Sequence, residues 1–286
     1  MRFLKTKTAQ KPKFKFPTAT VLLIAAISLI YVCLSDYMLY VSGPWLLKFG
    51  LYYGNFFIGA VSYMFMHISP AHLIGNMISL ALIGIVAEQK LRIKDYFAIF
   101  FASGIVSGMV FFIMNPEVVI VGASSAIAGL MMAAYFVDIK KAIVASLAFV
   151  LISSVVTPAI ISYTDSRIAE LENKQSELLE QFNETKKAAE NASAHNDMAA
   201  QQQYSQQLVV IITELNTTTK ESSSIKSGSE REKKSQTSPL VHLSGVLVAL
   251  AYMLRFRGDI VWQMPYQLGF LRKLLKKPRR KSKARK

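Results

Sequence analysis

The sequence predicts an all-α, polytopic membrane protein: six transmembrane helices, with a helical extramembrane insertion before the last span. Three observations predict it. Of 286 residues, 52% are hydrophobic, high for a soluble domain and ordinary for a chain that lives in lipid. Apolar runs of crossing length recur at 17–40, 67–87, 95–114, 142–162 and 240–254, with a shorter one at 124–137. The basic residues gather at 5–15, 90–94, 140–141 and 272–286, beside those runs or in tails.

The formal charge of +15 raises nucleic acid as a partner, but its distribution argues otherwise. With six spans, the N-terminus, the 88–94 turn, the 138–141 turn and the C-terminus fall on one side, and that side carries the clusters, as the positive-inside rule requires. We expect both termini to be cytoplasmic, the insertion extracytoplasmic and the membrane to be the plasma membrane, with no nucleic-acid partner. Cys33 is the one cysteine, so no intramolecular disulfide and no thiolate metal cluster can form.

In order, residues 1–16 form a basic lead and 17–163 hold spans one to five. The run 17–40 is too long for the apolar part of a signal peptide and is read as a retained span. Residues 41–66 are aromatic-rich, with Lys48 as their charge. Counting them as a span would put Lys90, Arg92 and Lys94 on the wrong side, so they read as a loop lying in the interface. Pro158 in the fifth span predicts a kink.

Composition changes at 164–238, which carries 12 acidic residues and 9 Lys or Arg. Ile168, Leu171, Gln175, Leu178, Phe182, Thr185, Ala189 and Ala192 keep a 3-4 spacing, and Leu208, Ile211, Ile212 and Leu215 make a second stripe. These predict a helical hairpin or coiled coil, with 217–238 as a flexible return, and leave self-association through the insertion open. Residues 239–257 are the sixth span. The tail, 258–286, is basic and suits an anionic lipid surface.

The central stretch is VVIVGASSAIAGLMMAA, residues 118–134. A helix from Ser124 to Val137 spans roughly 21 Å, short of the ~30 Å hydrocarbon core. It therefore starts part-way down, with Ser124 submerged at its N-terminus. Two other spans begin at the same side with ionisable groups: His67 and His72 with Asn76, and His242. Polar groups inside spans are costly and face protein or a water cavity. Nε2 of His242 can take the Ser124 proton. His72 and Asn76, at i and i+4, can aim donors at one oxygen, and the Ser124 backbone N–H completes an oxyanion hole. Gly245 and Ala249 share a face with His242, which permits close approach to a helix bearing Ala128, Gly129 and Ala133. No acidic residue is placed to orient His242, so a Ser-His dyad is expected.

The set His67-Ile-Ser-Pro-Ala-His72-Leu-Ile-Gly-Asn76-Met77, Gly122-Ala-Ser124 and His242-Leu-Ser-Gly245-Val-Leu-Val-Ala249 resembles the rhomboid family of intramembrane serine proteases. The resemblance covers 17–163 and 239–257. It implies a six-helix bundle around a water-filled cavity and cleavage of transmembrane substrates near their outer ends. Ser124 then corresponds to the nucleophile, His242 to the base, and His72 and Asn76 to oxyanion stabilisation, with His67, Gly122 and Gly245 in support. The chain departs from the family pattern at Ser125, where glycine is usual, and at Ala128, where an aromatic often packs on the base. A catalytically silent relative that binds transmembrane helices for quality control or trafficking is the alternative. A transporter lacks a central acidic residue, and a zinc hydrolase lacks its ligand motif. No metal or other cofactor is expected. The partners expected are transmembrane substrates and membrane lipids.

Overall fold

The computed structural model describes residues 16–36, 40–234 and 239–263. Most of the basic lead and tail, together with residues 235–238 of the insertion, lies outside the described residues. The fold is a helical bundle. Its long elements are α1 (Thr18–Leu34), α4 (Pro70–Glu88), α5 (Ile93–Met114), α6 (Ser124–Val137), α7 (Ile139–Ala194), α8 (Met198–Lys234) and α9 (Pro239–Phe256); α2 (Gly43–Phe49), α3 (Phe56–Ser62) and α10 (Gly258–Val261) are short. The helices α4, α5, α7 and α9 are long and apolar enough to cross a membrane, and α1 and α6 are shorter apolar helices.

Helix α6 sits in the middle, packed against α4, α5, α7 and α9. Nearly all of it is buried, as its small side chains allow. The apolar part of α7 lies at the periphery, with Val144, Leu147, Val150, Leu151 and Val155 exposed, a face made for lipid. Helix α7 continues past Pro158 without interruption. The first apolar run forms helix only to Leu34; Ser35–Asp36 (β1) then pairs antiparallel with Tyr40–Val41 (β2).

Residues 43–65 form α2, α3 and two 3₁₀ turns in place of a span. This loop is fixed to the approach to α6: the backbones of Leu51 and Ile120 exchange hydrogen bonds of 3.0 and 3.1 Å. Gly50 permits the crossing, because a Cβ there would lie 2.5 Å from the Val119 side chain and 3.2 Å from the Ile120 carbonyl, and Gly59 lets the loop fold on itself, since a Cβ there would lie 2.5 Å from the Gly50 carbonyl.

At the other end of the bundle, polar groups lock the helix termini. The buried Glu88 carboxylate accepts from the Ala19 and Thr20 amides and from the Thr20 hydroxyl, each at 3.0 Å. A carboxylate from the end of α4 thus caps the start of α1, where orphan amides and the helix dipole favour negative charge. Asp95 accepts from Arg92, Tyr252 and Arg257 at 2.7, 2.9 and 2.9 Å, tying α5 to the end of α9. Arg257 also pairs with Asp259 at 2.9 Å and holds that carboxyl below its usual pKa. Replacing Glu88 with alanine strands two buried amides, so we expect a loss of about 2 kcal/mol in a denaturant titration in detergent. Glu88→Gln, which keeps an acceptor, should lose less.

The insertion is a long antiparallel helical hairpin. On α7, Thr164, Ile168, Leu171, Gln175, Leu178, Phe182, Thr185, Ala189 and Ala192 are buried or half-buried, as the 3-4 spacing predicts. On α8 the stripe is Leu208, Ile211, Leu215, Thr218, Ser222, Ile225 and Ser229, whereas Ile212 faces outward. Cross-helix ion pairs join Arg167 to Glu221 (2.9 Å), Lys174 to Glu214 (2.7 Å) and Glu172 to Lys226. The flexible return expected from residue 217 onward is corrected: helix α8 continues to Lys234. The small polar residues Thr218, Ser222 and Ser229 are buried on its seam, and Ile225 packs with Leu171 and Tyr40.

Candidate active site

Helix α4 starts where Ser69-Pro70 tells it to. Pro70 occupies the first turn, where a missing N–H costs nothing, and the Ser69 hydroxyl accepts the His72 amide at 3.1 Å. His67 therefore precedes the helix, while His72 and Asn76 occupy successive turns of one face. The His67 ring is fully buried, and it lies 4.9 Å, centroid to centroid, from the His72 ring. The Asn76 amide group donates to the His72 carbonyl at 3.0 Å, which fixes its orientation.

The segment before α6 comes to meet these two side chains. Gly122 has φ +112°, a conformation open to glycine and strained for other residues. Its N–H donates to the Tyr63 carbonyl at 2.8 Å. A Cβ at Gly122 would lie 2.7 Å from His72 Nε2 and 4.0 Å from Asn76 Nδ2. The imidazole thus rests on the bare glycine two residues before Ser124, with the Asn76 amide just behind it.

Ser124 is the first residue of α6 and is half-buried, whereas Ser125 is buried. The Tyr63 hydroxyl donates to the Gly104 carbonyl at 2.7 Å, and the Ser125 hydroxyl lies 3.1 Å from it. Since the Tyr63 proton is used on Gly104, Ser125 donates to Tyr63. The Ser125 hydroxyl is thereby turned toward α5.

Helix α9 crosses against the same turn. A Cβ at Gly245 would lie 2.4 Å from the Ser125 carbonyl oxygen, and one at Gly129 would lie 3.3 Å from the Gly245 carbonyl. The two backbones touch, which no larger residue at 245 would allow. His242 sits one turn before Gly245 and is half-buried. Ser244 donates to the Val241 carbonyl at 2.8 Å and accepts from the Ser107 hydroxyl at 3.0 Å, pinning α9 to α5. The structure therefore gathers His67, His72, Asn76, Gly122 and Ser124 at one end of the bundle, and packs the first turns of α9 against α6 there. Among the described residues no three His, Cys, Asp or Glu side chains come together as a metal site.

A family model described as Rhomboid domain matches residues 55–170. Residues 55–170 are therefore similar to a rhomboid domain. The matched stretch includes His67, His72, Asn76, Gly122 and Ser124; it stops within α7, so His242 and Gly245 lie beyond it, on the far side of the hairpin. Among curated proteins and among solved structures no match to the chain was found. The apolar helices and this similarity together support an integral membrane protein whose matched stretch is like that of the intramembrane proteases and their inactive relatives.

Two contributors carry no signal in the sequence. Tyr63 supports both Gly122 and Ser125 from the interfacial loop, and Ser107 receives α9. Ser69 differs, since Ser-Pro ahead of an apolar run is an N-cap signature legible before folding.

Proposed function

We propose that the protein is a serine endopeptidase that cleaves transmembrane-helix substrates within the membrane, near the end at which the hairpin stands. The observation that carries this reading is the His72 imidazole lying on Gly122, two residues before a serine at a helix N-terminus. Ser124 Oγ attacks the scissile carbonyl while His242 Nε2 takes its proton. The oxyanion is held by His72, Asn76 and the Ser124 N–H. His242 then gives the proton to the leaving amine, the C–N bond breaks, and an acyl-enzyme remains. Water, deprotonated by His242, attacks that ester; Ser124 regains its proton and the acid product leaves. No acidic partner for His242 is invoked.

Helices hide their carbonyls in hydrogen bonds, so substrates should contain glycine, proline or small residues near the cut. Residues 1–16 and 258–286 are then cytoplasmic and the hairpin extracytoplasmic, in the plasma membrane. The second reading, binding of transmembrane helices without cleavage, rests on Ala128, the position at which the family pattern often has an aromatic.

Labelling with a fluorophosphonate serine-hydrolase probe in liposomes separates the two. We expect the parent protein to label, Ser124→Ala and His242→Ala to lose labelling, and Ser125→Ala to keep it. A folded parent that stays unlabelled, beside an active intramembrane serine protease that labels, would favour the silent helix-binding reading.

A further inference from the structure

The C-terminal end of the hairpin returns to the bundle along β1 and β2 and reaches the cap of α4. Glu232 accepts from the Ser69 hydroxyl, and from the Tyr40 hydroxyl at 3.2 Å. Around this contact Arg231 donates to the Val41 carbonyl at 3.2 Å. The Tyr40 ring lies on Gly228, where a Cβ would meet Tyr40 Cγ at 2.1 Å. Ile225, Leu171 and Tyr40 form a small apolar cluster beneath.

Ser69 is buried and has one proton to give. It gives that proton to Glu232, which leaves its oxygen lone pairs facing the His72 amide at 3.1 Å. Without Glu232 the hydroxyl is free to rotate toward backbone carbonyls, and its hold on the first turn of α4 weakens. That turn carries His72, whose ring rests on Gly122, and the next carries Asn76. We propose that Glu232 is a positioning residue: it fixes Ser69 as the N-cap of α4 and so holds His72 and Asn76 in register with Gly122 and Ser124. The hairpin is on this view a support of the site, and a force that lifts α8 from β2 loosens the oxyanion donors.

The kinetic half of the proposal rests on the peptidase reading, and the experiment keeps the two apart. In the full-length protein in liposomes, amide hydrogen exchange over 69–76 and the fluorophosphonate constants kinact and KI are measured for the parent, Glu232→Ala and Gly228→Val. Gly228→Val tests the docking by shape instead of charge. Both variants should speed exchange at the His72 amide and lower kinact by about fivefold, the size of a lost cap, with KI unchanged. Ser69→Asp placed in the Glu232→Ala protein should restore both, because an aspartate cap accepts without needing an orienting partner. Unchanged exchange in both variants would overturn the docking, and faster exchange with unchanged kinact would overturn the positioning role. An unlabelled parent would sink the peptidase reading and the kinetic half with it, while exchange alone would still decide whether Glu232 holds the cap.

Discussion

Replacing His242 with alanine is expected to lower cleavage of a transmembrane-helix substrate by roughly four to six orders of magnitude, and adding Ser124→Ala should lower it no further. On the proposed reading the nucleophile and its base act as one unit: a serine with no proton acceptor is as inert as an alanine. Two independent contributors would instead multiply their losses. The geometry makes the comparison fair, because the packing of α9 against α6 runs through Gly245 and the Ser125 backbone, and neither substitution touches it. Thermal midpoints of the single and double variants should stay within a few degrees of the parent. The measurement is single-turnover cleavage of a model transmembrane helix carrying glycine and proline near its outer end. A double variant much slower than either single one would argue against a dyad.

The bundle and the site are legible in the sequence to different depths. Helices α4, α5, α6 and α9 are readable because lipid forces every backbone group into a helix and makes the apolar runs continuous. The loop 43–65 is readable through charge placement, since hydropathy alone allows a span there. Ser124, His72 and Asn76 stand out because hydroxyl, imidazole and amide groups are expensive inside such runs. What hydropathy does not carry is tertiary pairing between distant polar residues. Glu88 reads as an ordinary interfacial charge until α1 arrives to be capped by it. Tyr63 is one tyrosine in an aromatic loop until Ser125 and Gly122 come to it. The stretch after residue 217 looks like a flexible return because serine, threonine and glycine dominate it. In the folded chain those same small residues let α8 lie close to α7 and Tyr40, so low apolar content there reflects close approach and not disorder.

Gly122→Ala should cost about a hundredfold in activity and about 1–2 kcal/mol in stability, and both losses follow from the backbone there and from where the methyl group would go. The backbone at φ +112° is strained for alanine by about 1–2 kcal/mol, and the chain can relieve that only by rotating the 122–123 peptide. The new Cβ would also lie 2.7 Å from His72 Nε2, so the imidazole must withdraw from the approach to Ser124. A displacement of about 1 Å in a catalytic group is enough for a hundredfold loss. The loss should appear in kcat with KM nearly unchanged, because in the proposed mechanism His72 holds charge that develops only in the transition state. Shrinking the obstructing ring supplies the control: His72→Ala in the Gly122→Ala protein removes the clash, so the second substitution should cost much less there than it does in the parent. Equal costs in both backgrounds would mean that His72 and Gly122 act separately, and that the imidazole contributes nothing to the oxyanion site through its seat on the glycine.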